Sequence, residues 1–249
     1  MAAAIIENMI EVQGLTKYFG RFSALRDLNL TIGTGEFVAL FGRNGAGKTT
    51  FLRLIAGLSR PSSGAIRIQP AGNDPARFLR GAIGYLSHSI ALYMDLTALE
   101  NLRFFAQLMD LPGGDEFLLR RIDQVGLAGR EREPVRSYSR GMQQRLAIAR
   151  AFLHDPDILL LDEPFTGLDQ AGSDFLKNLL RSARSAGRTC VMAIHDAPLG
   201  YEMADRLVVI ERGKAALDVS KASLSFDAFQ ERYGQIARTA FRRGTGTGQ

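Results

Sequence analysis

The sequence predicts an α/β fold whose sheet is drawn from both ends of the chain, with a helical segment inserted between them. Three observations predict it. A buried strand, a glycine-rich loop and a helix follow one another between Glu36 and Gly57. Three further apolar runs, Ile158–Leu161, Thr189–Ile194 and Arg206–Ile210, are continuous rather than alternating, as strands covered on both faces are. Between these two groups the apolar period changes to that of a helix.

The first strand is "EFVAL", residues 36 to 40, and "FGRNGAGKTT" leads from it into the helix "TTFLRLIAGL", closed near Gly57. "GAIGYLS" reads as a short apolar strand emptying into a polar loop at His88. From Thr97 to Met109 the residues Leu99, Leu102, Ala106 and Met109 fall on one helical face, and "DEFLLRRIDQVGL" reads as a second helix. The helical segment is therefore expected at about residues 87 to 153. The rest of residues 1 to 240 forms one domain with it, and the final "RRGTGTGQ" marks residues 241 to 249 as a disordered tail.

Composition bounds the function. With 249 residues and 46% hydrophobic content there is ample material for a buried core. No apolar run approaches the ~18 residues of a membrane helix, and the N-terminus lacks a secretory pattern, so a cytoplasmic chain is expected. Cys190 lies in the apolar run "TCVMAI" and reads as a buried, inert thiol in a reducing compartment. The net charge of +5 is scattered rather than massed in stripes. It fits a protein that meets nucleotides or an anionic membrane face, and no direct contact with nucleic acid is expected.

"GRNGAGKT", Gly42 to Thr49, satisfies the phosphate-loop pattern between a strand and a helix. Gly42, Asn44, Gly45, Ala46 and Gly47 would wrap backbone N–H groups around phosphate oxygens, and the helix N-terminus with Thr49 and Thr50 adds partial positive charge. Lys48 would reach the β- and γ-phosphates, and the Thr49 hydroxyl would meet Mg²⁺. At the end of the apolar run 158 to 161, Asp162 is placed to hold the magnesium and Glu163 to orient and deprotonate an attacking water. The chain contains no Asn-Lys-x-Asp, so ATP rather than GTP is the expected nucleotide.

"YSRGMQQRLAIARAF", beginning at Tyr138, completes a set with "LDEPFTGLD" and "AIHD" that resembles the ATP-binding subunit of ABC transporters over nearly the whole chain. The resemblance implies the ABC ATPase variant of the P-loop NTPase fold, with a RecA-like core, an N-terminal antiparallel β portion and the helical insertion. It implies ATP hydrolysis with Mg²⁺, a second ATPase subunit facing the first, most simply a homodimer, and separate transmembrane permease subunits. The chain would then sit peripherally on the cytoplasmic face of the membrane. Each ATP would be held between the phosphate loop of one subunit and Ser139 and Gly141 of the other. By the same resemblance Phe19 stacks on adenine beside Tyr18, a core aromatic being the competing reading. Asp169 links the two sites and His195 contacts the γ-phosphate. His154 has no such support and reads as a surface or capping residue.

Two features depart from the family pattern. The usual signature is Leu-Ser-Gly-Gly-Gln; here Arg140 replaces a glycine and Met142 the glutamine, so the family's contacts at those positions do not carry over. His88 stands where a glutamine is usual, and is expected to meet the attacking water or the γ-phosphate region rather than the metal, imidazole being a poor ligand for Mg²⁺. The loop residues further resemble the ATPase of haem exporters associated with cytochrome c maturation. Exporters of drugs, polysaccharide or lipid share much of that pattern, and a soluble ABC assembly ATPase is the reading from a different class.

Overall fold

The computed structural model describes residues 8–69 and 81–244. The chain divides into two compact units, one made of Met1–Ala71 with Thr189–Gln249 and the other of Gly72–Arg188.

In the first unit β1 (Asn8–Phe19) pairs antiparallel with β2 (Phe22–Gly33) on one side and with β4 (Ser63–Ile68) on the other. A second set of strands centres on β3 (Phe37–Phe41), which runs parallel to β7 (Thr189–Ala193) and to β8 (Arg206–Glu211). Strand β9 (Lys214–Ser220) turns back antiparallel to β8. Every residue of β3 and β7 is buried, as strands covered on both faces should be. Helix α1 (Lys48–Ile55) buries Phe51, Leu52, Leu54 and Ile55, each worth about 1.5–3 kcal/mol of apolar burial. It stops where Gly57 takes a φ of 70° and the Leu58 N–H returns to the Arg53 carbonyl at 2.9 Å.

The second unit pairs β5 (Ile83–Leu86) in parallel with β6 (Ile158–Asp162), whose residues are all buried. Between them lie α2 (Ala98–Leu108), α3 (Asp115–Gln124) and α4 (Arg140–Ala151), and α5 (Gln170–Ser185) follows β6. Leu102, Leu118, Ile122, Val135 and Leu146 form the centre of their shared apolar cluster. Helix α2 starts where the spacing predicts, because Thr97 and Glu100 form a capping box: the Glu100 N–H reaches Thr97 Oγ1 at 3.2 Å and the Thr97 N–H reaches Glu100 Oε2 at 2.8 Å.

The C-terminal part departs from expectation. After α6 (Ala197–Met203) and β9, helix α7 runs from Phe226 to Gly244 and so takes in the first four residues of the segment expected as a disordered tail. Residues 245 to 249 lie outside the described residues.

Candidate nucleotide site

The phosphate loop is a backbone construction. Gly42 has a φ of 145°, and a Cβ there would stand 2.2 Å from the Ile210 carbonyl oxygen. Gly47 has a φ of 115°, and its Cβ would stand 2.6 Å from the Ala24 oxygen. Both positions therefore require glycine twice over, for conformation and for space. Lys48 is 6% exposed, and its ammonium donates to the carbonyls of Gly42 at 2.7 Å and Arg43 at 3.2 Å. A buried ammonium demands such partners, and it is held at the inner edge of the loop where a phosphate oxygen would meet it. Gly47 caps α1 without a side chain that could compete for the first-turn N–H groups. Gly42, Ala46 and Gly47 are buried, Asn44, Gly45 and Thr49 exposed, and Thr50 half-buried.

The acidic strand end lies in the second unit. Asp162 is 1% exposed at the last position of β6, which removes the competing reading of a surface acid. Glu163 follows with a φ of 54°, a left-handed conformation uncommon outside glycine. His88 Nδ1 stands 3.4 Å from Glu163 Oε2, so the group that the histidine touches is the carboxylate of the expected base. The loop carrying His88 is held from both sides. Arg150 donates to the Tyr85 carbonyl at 2.9 Å, and the buried Asn101 binds both the N–H and the carbonyl of Tyr93, at 2.8 and 2.9 Å.

Around the signature, Tyr138 is buried with its hydroxyl donating to the Arg130 carbonyl at 2.6 Å. Burial pushes the phenol up to about 12, with the Glu133 and Glu131 carboxylates adding to the rise. Ser139 caps α4, its oxygen accepting from the Met142 N–H at 3.3 Å. Gly141 leaves no room to spare, since a Cβ there would stand 3.2 Å from the Gly167 oxygen. The next positions of α4 hold the loop that runs from Glu163 to Asp169. Gln144 donates to the Pro164 carbonyl at 3.1 Å, and Arg145 donates to Asp169 at 2.6 Å. Asp169 also caps α5 by accepting from the Gly172 N–H at 2.8 Å. The Gly172 N–H first and the Arg145 guanidinium second hold its carboxyl below the usual carboxylate range.

The two departures find physical places. The stem of Arg140 lies over Gly167, with Cγ 3.4 Å from where a Cβ would be, and Met142 packs against the apolar cluster of the second unit. Gln144, Arg145 and Asn101 were not singled out from the sequence. Polar residues on a helix carry no periodic signal that separates a loop anchor from a solvated side chain.

Phe19 and Tyr18 are 55% and 53% exposed, so the competing reading as core aromatics does not hold. Lys17 Nζ lies 5.0 Å from the centre of the Phe19 ring. His195 is exposed directly after the buried β7 and before Asp196, which caps α6 by accepting from the Leu199 N–H at 2.9 Å. His154 is corrected: it is turned inward beside Gly81, and burial holds its pKa below the ordinary value, which neither a surface nor a capping residue would show. Phe19, the phosphate loop and His195 belong to the first unit. His88, Ser139, Gly141, Asp162, Glu163 and Asp169 belong to the second.

A glycine loop whose carbonyls hold a buried lysine at the head of a helix defines a P-loop nucleotide-binding protein. Residues 25–166, more than half of the chain, match the family described as ABC transporter. The chain belongs to the ABC transporter family, as an ATP-binding and ATP-hydrolysing component. It is 36% identical over 217 residues to the uncharacterized ABC transporter ATP-binding protein YdbJ of Bacillus subtilis, covering 86% of this chain and 70% of that one. It is 40% identical over 213 residues to the sulfate/thiosulfate import ATP-binding protein CysA 2 of Chromobacterium violaceum, covering 84% of this chain and 58% of that one. The chain thus spans less than two thirds of the length of that importer component. Its fold is similar to the dimeric, post-hydrolysis ATP-binding cassette MJ0796 bound to ADP and Pi, with a TM-score of 0.76 and 27% identity over 86% of this chain and 99% of that one. None of these three carries a name of haem export, so the narrower resemblance drawn from the loop residues gains no support from them.

Proposed function

We propose that the chain hydrolyses Mg-ATP as one of two facing, identical subunits and thereby drives a transporter whose membrane-spanning subunits are separate polypeptides. The observation that carries this reading is Lys48, buried and held by the carbonyls of its own phosphate loop. Phosphate binding requires that geometry, and a chance glycine turn does not. Among the described residues no helix is long and apolar enough to cross a membrane, which is why the transport role calls for other chains.

The residues divide the work. The loop Gly42 to Gly47 and Lys48 bind the phosphates, with Thr49 and Thr50 at the helix start. Phe19 offers an exposed ring to adenine. The Thr49 hydroxyl and the Asp162 carboxylate are hard oxygen donors that fit Mg²⁺, which supplies neutralisation of the phosphate charge when bound. No group of three or more acidic, histidine or cysteine side chains able to hold a metal occurs among the described residues, consistent with an ion that takes its remaining ligands from phosphate and water. Glu163 accepts a proton from water as its oxygen bonds to the γ-phosphorus and the bond to ADP breaks. His195 meets the γ-phosphate, and His88 acts on Glu163, the group it touches. Ser139 and Gly141 complete the partner's site, and Asp169 joins the two. The loop that carries His88 is the part that meets the membrane subunits. The chain is placed peripherally on the cytoplasmic face of the membrane.

The loop residues favour export, with haem as one cargo, whereas CysA 2 is named for sulfate and thiosulfate import. Vesicles carrying the cognate membrane subunits, loaded with each cargo in turn, decide between them. The hydrolytic reading is tested by Glu163→Gln, which keeps shape and removes the base. Hydrolysis is expected to fall by about 10²–10⁴-fold with ATP binding intact, and the variant should accumulate as an ATP-bound dimer on gel filtration. Turnover at the wild-type rate would sink the assignment.

A further inference from the structure

Glu163 is held in a conformation that its own residue type disfavours. Its φ of 54° lies in the left-handed region, so the surrounding structure has to hold the turn that begins there. Within the turn, the Thr166 N–H returns to the Glu163 carbonyl at 3.1 Å and the Leu168 N–H to the Phe165 carbonyl at 3.2 Å. From helix α4, the Gln144 amide donates to the Pro164 carbonyl at 3.1 Å. Pro164 has no N–H, and its carbonyl is therefore the one backbone polar group by which this residue can be held. The bond is buried and Gln144 is 6% exposed, so water replaces neither partner when the other is removed. A carbonyl only accepts, which fixes the amide with its nitrogen toward Pro164.

The same helix holds the chain beside the residue that Glu163 touches. Arg150 donates to the carbonyl of Tyr85, three residues ahead of His88, at 2.9 Å. The buried Ser87 then spans His88, its hydroxyl donating to the Ser89 carbonyl. His88 Nδ1 and Glu163 Oε2 meet at 3.4 Å. Helix α4 thus grips the backbone just after Glu163 through Gln144 and just before His88 through Arg150. Of these two grips, the one through Gln144 bears directly on the strained turn.

We infer that Gln144 is a positioning residue for hydrolysis: it ties the backbone next to Glu163 to helix α4 and so preserves the left-handed turn on which the direction of the carboxylate depends. This rests on the role proposed above for Glu163 as the base. Gln144 itself takes no proton and binds no phosphate. It acts through the backbone of the loop that carries the base.

The test is Gln144→Met, which keeps the length of the side chain and removes the donor. In the full chain kcat should fall about tenfold, the effect of a slightly misplaced catalytic group. KM for ATP and the single-chain dissociation constant for a fluorescent Mg-ATP analogue should stay within about twofold. The substitution is then repeated in the Glu163→Gln chain. With the base already gone, it should change the residual rate by less than about twofold, because residues that act as one unit are not additive. Loss of folding would act alike in the two backgrounds and cancels from the comparison. Should the methionine variant fail to fold, Gln144→Asn, an amide one methylene shorter, is read by the same two ratios. An equal tenfold loss in both backgrounds overturns the inference, since Gln144 would then act on something other than the base, and so does a methionine variant that turns over at the wild-type rate. A Glu163→Gln chain with wild-type turnover sinks the proposed base and this inference with it. A Glu163→Gln chain that is inactive beside an unaltered methionine variant sinks only the role of Gln144.

Discussion

Helices α1 and α4 each begin at a residue expected to meet phosphate, yet they are capped in different ways. Gly47, at the head of α1, is left-handed and has no side chain to satisfy the first-turn N–H groups. Ser139, at the head of α4, already accepts from the Met142 N–H. The first site is shaped by backbone that only glycine can adopt, and Gly42 and Gly47 have no freedom to change. The second is shaped by side chains, and its tasks are spread along the helix. Arg140 and Met142 differ from the family pattern, while Gln144 and Arg145 further along tie α4 to the loop of Asp169. A site built from backbone in left-handed glycine conformations tolerates little variation.

The sharpest way to break this comparison is to disable each helix head in a separate chain. Lys48→Ala should reduce Mg-ATP binding by a single chain by about a hundredfold or more, since it removes a buried charge that two carbonyls and a phosphate share. Ser139→Arg should bind nucleotide as the wild type does and fail only in hydrolysis. Mixing the two variants should restore activity, because a heterodimer keeps one composite site intact. A mixture as inactive as either variant alone would show that the sites are not shared between facing chains.

A smaller effect tests how the second site is held. Arg145→Ala frees Asp169 from the Arg145 guanidinium and leaves it the Gly172 N–H. Asp169 is 68% exposed, so water screens the pair and the loss of stability should be small. Hydrolysis should fall about three- to tenfold with single-chain nucleotide affinity unchanged. An equal loss of affinity in the single chain would place Asp169 in the chain's own binding site instead.

The smallest effect concerns His88, which faces Glu163 at 3.4 Å. The imidazole is placed to steady the carboxylate that should accept from water. His88→Gln keeps a polar side chain at the contact and should hydrolyse within about twofold of wild type, whereas His88→Ala removes it and should lower kcat about two- to threefold with nucleotide affinity unchanged. An alanine variant that hydrolyses at the wild-type rate with saturating Mg-ATP would make His88 a spectator to catalysis.

What the sequence disclosed follows the same division. The phosphate loop, the buried strands β3, β6 and β7 and helix α2 were legible because backbone conformation, two-sided burial and an apolar helical face each demand particular residue types; the capping box of Thr97 and Glu100 was not read from the sequence. Helix α7 was not. Its anchors Phe229 and Tyr233 meet Phe41 across most of the chain, and no local period announces a contact of that range. The contact between His88 and Glu163 escaped for the same reason, although both residues were singled out separately.

Glu163 sits in left-handed backbone, which costs a residue with a side chain about 1–3 kcal/mol. Glycine or asparagine would be more comfortable there, and neither supplies a carboxylate. A library of variants sorted by heat tolerance alone would therefore drift away from glutamate at this position and enrich proteins that bind ATP without consuming it. Endurance and turnover pull against each other at one residue, and any hardened version of this chain has to find its gains elsewhere.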